Sequence, residues 1–251
     1  MKLTRWLSEE EQTNIYSSEY WNDLEIEKKK EFWLFKDNKD KFLGYLQQQQ
    51  LLVEFDEVKN IIMSLNNTNL AIADLGAGVG WSSALLSKIE KVSEVHSVDI
   101  SQHRLETIFN SVSVILEAKE KKISRYIGSF YALKFDDNSL DIIFMSQAFH
   151  HTDNPIQLLK EMNRVLKPDG KIILMGEHHI GIKSRLRRFT SVLIREKIIS
   201  FNFNYLFKPD PILGDHYYRI TDYQKFFKNI DMDFSYKIIG NNLVSISSYI
   251  K

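Results

Sequence analysis

Residues 71–83 read AIADLGAGVGWSS. An apolar run ends in Asp74, and glycines follow at every second position: Gly76, Gly78 and Gly80. An apolar run of strand length that breaks into glycines and resumes as an amphipathic stretch predicts a strand, a tight turn and a helix. The glycines either adopt backbone angles other residues avoid or clear space for a close neighbour. The texture after Leu70 repeats this alternation. Strands are expected at 70–75, 94–99, 124–128, 140–145 and 171–176, with helices at 81–91, 101–120 and 154–166. Strand–helix alternation at this spacing predicts parallel βαβ units in a doubly wound sheet. Two strand-like runs, 232–239 and 243–250, flank Gly240-Asn241-Asn242 and predict a terminal β-hairpin whose turn carries one extra residue.

Residues 1–66 read as helical: Phe42, Leu46, Val53 and Phe55 are apolar steps among charged residues, and Gly44 is the only glycine before Gly76. This segment is expected to be an N-terminal helical cap on a domain spanning 67–251, with an insertion at about 181–220. A chain of 251 residues that is 43% hydrophobic has enough apolar material for a full core. The formal net charge of +0 argues against a generic nucleic-acid binder. With no cysteine, disulfides, thiolate catalysis and cysteine-bound zinc are excluded. The start, MKLTRWLSEEEQ, lacks an apolar signal core, and no run approaches the roughly 20 residues of a membrane span, so a cytoplasmic protein is expected.

The glycine turn sorts its own ligands. A phosphate-binding loop needs a Lys after its second glycine, and none follows; the dinucleotide fingerprint needs glycine at 81, where Trp81 stands and disfavours a nicotinamide oxidoreductase. The observed spacing is D-x-G-x-G-x-G, and Asp99 follows near the end of the second strand in EVHSVDIS. YIGSFYALKFDD and LLKEMNRVLKPDGKIILMGE complete the series. Together these four segments resemble, in order over about 70–177, the class I S-adenosylmethionine-dependent methyltransferases. Departures from the family pattern are Ser129, Lys134 and Asp169.

The resemblance implies a Rossmann-like seven-stranded sheet closed by an antiparallel hairpin, with S-adenosyl-L-methionine as cofactor. It places Gly76, Ala77 and Gly78 against the amino-acid end of that ligand and Asp74 near its ammonium group. Asp99 would accept the ribose hydroxyls, as dinucleotide folds do with an acidic residue there, although a helix N-cap is its structural alternative. Ile100, Gly128, Ser129 and Phe130 would face the adenine, and Gln147 the site after the fourth strand. The acceptor expected is a small-molecule hydroxyl, on a sugar or secondary metabolite. N- or C-methylation, and a cofactor-binding protein without transfer, stay open.

An oxygen acceptor benefits from a general base. His150 and His151 follow the fourth strand and His216 lies in LGDHYYRIT, so these three are the catalytic candidates. Glu177, His178, His179 and Asp215 are further polar residues near the strand ends, with no spacing diagnostic of a metal. Between 183 and 197, Lys183, Arg185, Arg187, Arg188, Arg195 and Lys197 face Glu196 alone. This segment reads as a solvated helix, an anion site for a phosphorylated or nucleotide-linked acceptor, or a membrane-surface element. Tyr16, Tyr20, Trp21, Phe32, Trp33 and Phe35 are helix-packing residues or parts of a lid. A homo-oligomer is compatible with all of this.

Overall fold

The computed structural model describes residues 1–8, 10–11, 38–209 and 214–250. The aromatic residues proposed for a lid, Tyr16 to Phe35, lie outside them. Eight strands form the sheet: β1 (Lys2–Arg5), β2 (Leu70–Leu75), β3 (Val92–Asp99), β4 (Ile123–Ile127), β5 (Leu140–Ser146), β6 (Leu166–His178), β7 (Ser235–Ile239) and β8 (Asn242–Ser247), among the described residues. Their order is β1-β4-β3-β2-β5-β6-β8-β7. All pairs from β1 to β6 are parallel, and β8 runs antiparallel to both β6 and β7. The chain order reverses between β2 and β5, which makes that crevice the switch point where such sheets bind ligands.

The helices are α1 (Lys39–Gln48), α2 (Leu51–Ser64), α3 (Trp81–Leu86), α4 (Phe109–Ile115), α5 (Pro155–Val165), α6 (Ile182–Glu196), α7 (Phe203–Leu206) and α8 (Ile220–Lys228). A π-helical turn, Arg104–Ile108, leads into α4. Alternate strand residues feed two cores, because successive side chains leave opposite faces. Ile72, Phe144 and Ile173 pack with α1 to α4, while Ala73, Ile143 and Leu174 pack with α5 and α8.

Local chemistry explains the element boundaries. Asn38 caps α1 by accepting from Lys41 N at 3.0 Å, and Asn154 caps α5 by accepting from Gln157 N at 3.1 Å, with Pro155 at the first helical position. The hairpin turn has two residues, Gly240 and Asn241, with Ile239 paired to Asn242, rather than three. Gly240 takes φ +61°, as a type II′ turn requires at its first position.

The N-terminal region departs from the all-helical expectation. Lys2–Arg5 adds an eighth strand beside β4, pairing Leu3 with Arg125. Four residues of mixed polarity carry no readable alternation, so only the waiting sheet edge makes them a strand. In α1 and α2, Phe42, Leu46 and Phe55 are buried as expected, but Val53 is 57% exposed. The buried stripe of α2 runs Leu51, Phe55, Val58, Ile62, and Val53 falls on its outer side.

The same stripe buries Glu54, which accepts from Asn242 Nδ2 at 2.8 Å. Burial pushes its carboxyl from 4.5 up to about 7. Between these values the native state keeps a proton that the unfolded chain has released, so stability falls as pH rises through the window. Glu54→Gln should remove that slope and stabilise the protein at pH 8 by roughly 1–3 kcal/mol. Urea unfolding at pH 5 and pH 8 measures it; parallel losses in parent and variant would refute it.

Candidate active site

The glycine turn after β2 is held from below. Gly76 N and Ala77 N donate to Val98 O at 2.9 and 3.1 Å, and Gly80 N donates to Ala77 O at 2.8 Å. All three glycines have positive φ, +70°, +53° and +81°. Their surroundings differ. A Cβ on Gly76 would lie 2.7 Å from Ala148 Cβ, and one on Gly80 would lie 2.1 Å from the Phe109 ring. At Gly78 the nearest atom would be Arg104 Nη1, at 3.6 Å. Two glycines therefore make room for the protein itself, and Gly78 opens onto a cleft.

That cleft is open to solvent. Gly76, Ala77, Gly78, Ser82, Arg104, Ser146, Gln147 and His151 line it together with Phe42, Tyr45, Leu46 and Leu51 of α1 and α2. Gln147 adopts φ +51°, a conformation costly for a residue with a side chain. Its backbone N–H donates to Met175 O at 2.8 Å, and its Cγ fills the space that Gly176 leaves free.

Two carboxylates flank the turn. Asp74 is fully buried and accepts from Ser82 Oγ and Ser83 Oγ at 2.7 and 2.5 Å, while its other oxygen has no hydrogen-bond partner among the described residues. Burial pushes its carboxyl up to about 6. Asp99, at the end of β3, accepts from Gly78 N and Ser101 N, each at 2.8 Å. It thus ties the glycine turn to the start of the next segment, and Ser101 N receives the cap that the N-cap alternative describes. Each of its oxygens retains a further lone pair for a hydroxyl donor.

The residues after β4 lie beside Asp99: Gly128 N donates to Asp99 O at 2.9 Å. The side chain absent from Gly128 leaves room for Trp6, whose ring would be 2.6 Å from a Cβ there. Ser129 Oγ accepts from Tyr131 N at 3.2 Å, and the Phe130 ring packs on Tyr131 with centroids 4.8 Å apart. Ile100 is half-buried next to Asp99. None of Ile100, Gly128, Ser129 and Phe130 is among the described residues lining the cleft.

A short 3₁₀ turn, Phe149–His151, carries the two adjacent histidines. Glu177, fully buried on β6, clamps it. One carboxylate oxygen accepts from Ala148 N and Phe149 N at 3.1 and 3.0 Å. The other accepts from His150 N at 3.1 Å and Tyr223 OH at 3.3 Å, and pairs with His150 Nδ1 at 2.9 Å. Burial would raise Glu177, but the facing His150 and these donors hold it below its ordinary value. Burial likewise depresses His150, and the Glu177 charge outweighs this, so His150 titrates above the usual histidine range.

His151 points elsewhere. It reaches the cleft wall, with Nδ1 3.0 Å from Asp215 Oδ1. His151 holds Asp215 below the carboxylate range against the pull of burial. His216 N donates to His150 O at 2.7 Å, and its Nε2 pairs with Asp153 at 3.0 Å. His178 stacks on His150 with centroids 4.8 Å apart; burial, then the nearby His150 charge, lowers its titration. His179 sits on the hairpin side, where its N–H donates to Asn241 O at 3.0 Å. His150, His151 and Asp215 each present a ligand atom within 4.8 Å of the others, but each already faces a protein partner, His150 with Glu177 and His151 with Asp215.

Residues 73–174 match a family described as a methyltransferase domain. Demethylmenaquinone methyltransferase of Lactococcus lactis is 30% identical over 113 residues, 45% of this chain and 44% of that protein. The chain thus spans less than half the length of this relative. A protein of Methanococcus maripaludis assigned as an S-adenosyl-L-methionine-dependent methyltransferase superposes with a TM-score of 0.57 at 18% identity, covering 89% of this chain and 96% of that one. A chain in the complex of the Haloferax volcanii Trm112 methyltransferase activator with a methyltransferase gives 0.60 at 15% identity, over 88% of this chain and 98% of its own. At these identities the superpositions show the fold. Residues 73–174 thus form a methyltransferase domain, in keeping with the class I S-adenosylmethionine-dependent family that the sequence segments resemble.

Seven strands closed by the antiparallel hairpin agree with the sheet that the resemblance implies, and β1 adds an eighth. The cleft also uses residues that sequence reasoning missed. Phe42, Tyr45, Leu46 and Leu51 reach it because α1 and α2 pack over the switch point, and Arg104 because the π-helical turn swings it beside Gly78. Only the helical spacing of Phe42 and Leu46 hinted at this, and that spacing reads equally as core.

Proposed function

We propose that this chain transfers a methyl group from S-adenosyl-L-methionine to a hydroxyl of a small molecule such as a sugar or secondary metabolite. The observation that carries this reading is that His151, backed by Asp215, stands on the wall of the same cleft into which Gly78 opens. When bound, S-adenosylmethionine supplies an electrophilic sulfonium methyl. The unpartnered oxygen of buried Asp74 suits an ammonium group, directly or through water beside Ser82. Gly76, Ala77 and Gly78 offer bare backbone to the amino-acid end. Asp99 takes the ribose hydroxyls, Ile100, Gly128, Ser129 and Phe130 form the adenine side, and Gln147 closes the wall next to His151. With the cofactor bound, His151 would accept the hydroxyl proton of the acceptor as the O–C bond forms and the methyl–sulfur bond breaks to leave the neutral thioether, and Asp215 would stabilise the resulting imidazolium. Most of the rate comes from alignment, since the donor is already activated. α1 and α2, which line the cleft through Phe42, Tyr45, Leu46 and Leu51, would bound the acceptor side.

Calorimetry with S-adenosylhomocysteine and with NAD tests the cofactor; binding of NAD alone would refute the reading. Because a bound cation favours ionised Asp74, affinity should weaken about tenfold per unit as pH falls below about 6. Asp74→Asn should flatten that dependence, and an unchanged pH profile in the variant would remove Asp74 from the site. Asp99→Ala should cost roughly 1.5–3 kcal/mol of affinity; a loss under a few tenths would mean that the ribose is held elsewhere. Transfer of labelled methyl from S-adenosylmethionine to hydroxyl, amine and carbon acceptors separates O- from N- and C-methylation. Cofactor binding with no transfer to any of them would leave a binding protein.

A further inference from the structure

The helix after β6 is left over from the cleft. Ile182, Leu186, Phe189 and Leu193 recur at i, i+4, i+7 and i+11 and form one stripe along α6. Ile182 is 75% exposed, Leu186 57% and Leu193 36%. Ile198, Ile199 and Phe201 continue the exposed apolar surface, and Phe201 stacks on Phe189 with centroids 4.5 Å apart. A different side of α6 anchors it: Val192 is buried, and Arg188 Nε donates to the carbonyl of buried Leu206 at 2.7 Å. Single exposed apolar side chains are ordinary, whereas a contiguous stripe marks an interaction surface.

Charge indicates what covers the stripe. Six cations and one anion occupy 183–197 in a chain of net charge +0. Arg185, Arg187, Arg188, Arg195 and Lys197 are not among the described residues lining the cleft. Arg187, Arg195 and Lys197 are exposed. A second copy docking through the same face would set like charges against each other. Nucleic acid would use the cations and leave the apolar stripe in water.

We propose that α6 docks the protein flat on an anionic lipid surface, the stripe entering the headgroup–acyl boundary and the cations meeting the headgroups. The inference is independent of the methyl-transfer reading. Co-sedimentation of the full chain with phosphatidylcholine vesicles, with and without phosphatidylglycerol, tests it. Binding should need phosphatidylglycerol and should weaken in high salt. Leu186→Glu should weaken it about tenfold or more, the scale of burying one such side chain. Paired Arg187→Glu and Arg195→Glu should weaken it too, with unchanged circular-dichroism melting showing that both variants fold. Absence of binding to phosphatidylglycerol vesicles, or equal binding by Leu186→Glu, overturns the proposal. So does a dimer seen by light scattering that Leu186→Glu dissolves without any vesicle binding, which would give the face to a second copy.

Discussion

Replacing His151 by alanine is expected to lower kcat by about 10²- to 10⁴-fold while leaving affinity for S-adenosylhomocysteine nearly unchanged. His151 reaches the cleft and leans on Asp215, whereas its neighbour turns into the protein. His150→Ala should therefore show a different signature. It strips the partner from a buried carboxylate, which costs on the order of 3–5 kcal/mol, so its first effect is on stability. His216→Ala breaks a half-exposed pair with Asp153 and should leave kcat within a few-fold, because such pairs are worth about 1 kcal/mol or less. Steady-state kinetics with a working acceptor, read against melting temperatures, separates the three. Near-normal kcat in His151→Ala would eliminate it as base. An acceptor amine would then fit better, since a neutral amine needs no strong base.

Gly78→Val and Gly80→Val are expected to fail in opposite ways. At Gly78 the new side chain would enter the cleft, so cofactor affinity should fall about 100-fold or more, roughly 2.7 kcal/mol. The fold would lose only the roughly 1–2 kcal/mol of a side chain held in a left-handed conformation. At Gly80 a Cβ would sit 2.1 Å from the Phe109 ring, and overpacking on top of the same strain should cost about 3 kcal/mol or more in stability. Thermal melting and calorimetry on both variants check this. Intact binding in a folded Gly78→Val would show that nothing occupies the space above that glycine.

The glycines show what spacing alone carries. Their every-second-residue pattern, with Asp74 before and Asp99 after, identifies the turn and, together with the two later segments, the family it resembles. It does not distinguish Gly78 from Gly76 and Gly80. Ala148, 72 positions after Gly76, and Phe109, 29 after Gly80, decide that difference, and only folding brings them there. The β-strands were readable for a related reason. A strand buried on both faces reads as an apolar run whatever surrounds it, so β2, β5 and residues 172–175 of β6 announced themselves, while β3 and β4 showed a weaker alternation of apolar and polar residues. β1 did not, because a four-residue edge strand needs only a partner's free backbone groups.

The sequence by itself determined the parallel α/β sheet, the terminal hairpin and the glycine turn, which rest on periodicity and short-range turn chemistry; the family rests on the resemblance of four segments in order. Tertiary structure alone decided that α1 and α2 cover the switch point, that Arg104 reaches Gly78, and that Trp6 fills the space beside Gly128. It also separated His150 from His151. Adjacent residues on one turn leave it in different directions, and no local rule says which faces ligand and which faces core. The choice was made by Glu177, 27 residues further along the chain from His150. A carboxylate fully removed from water must gather donors, and it draws His150 and three backbone N–H groups inward, leaving His151 for the cleft.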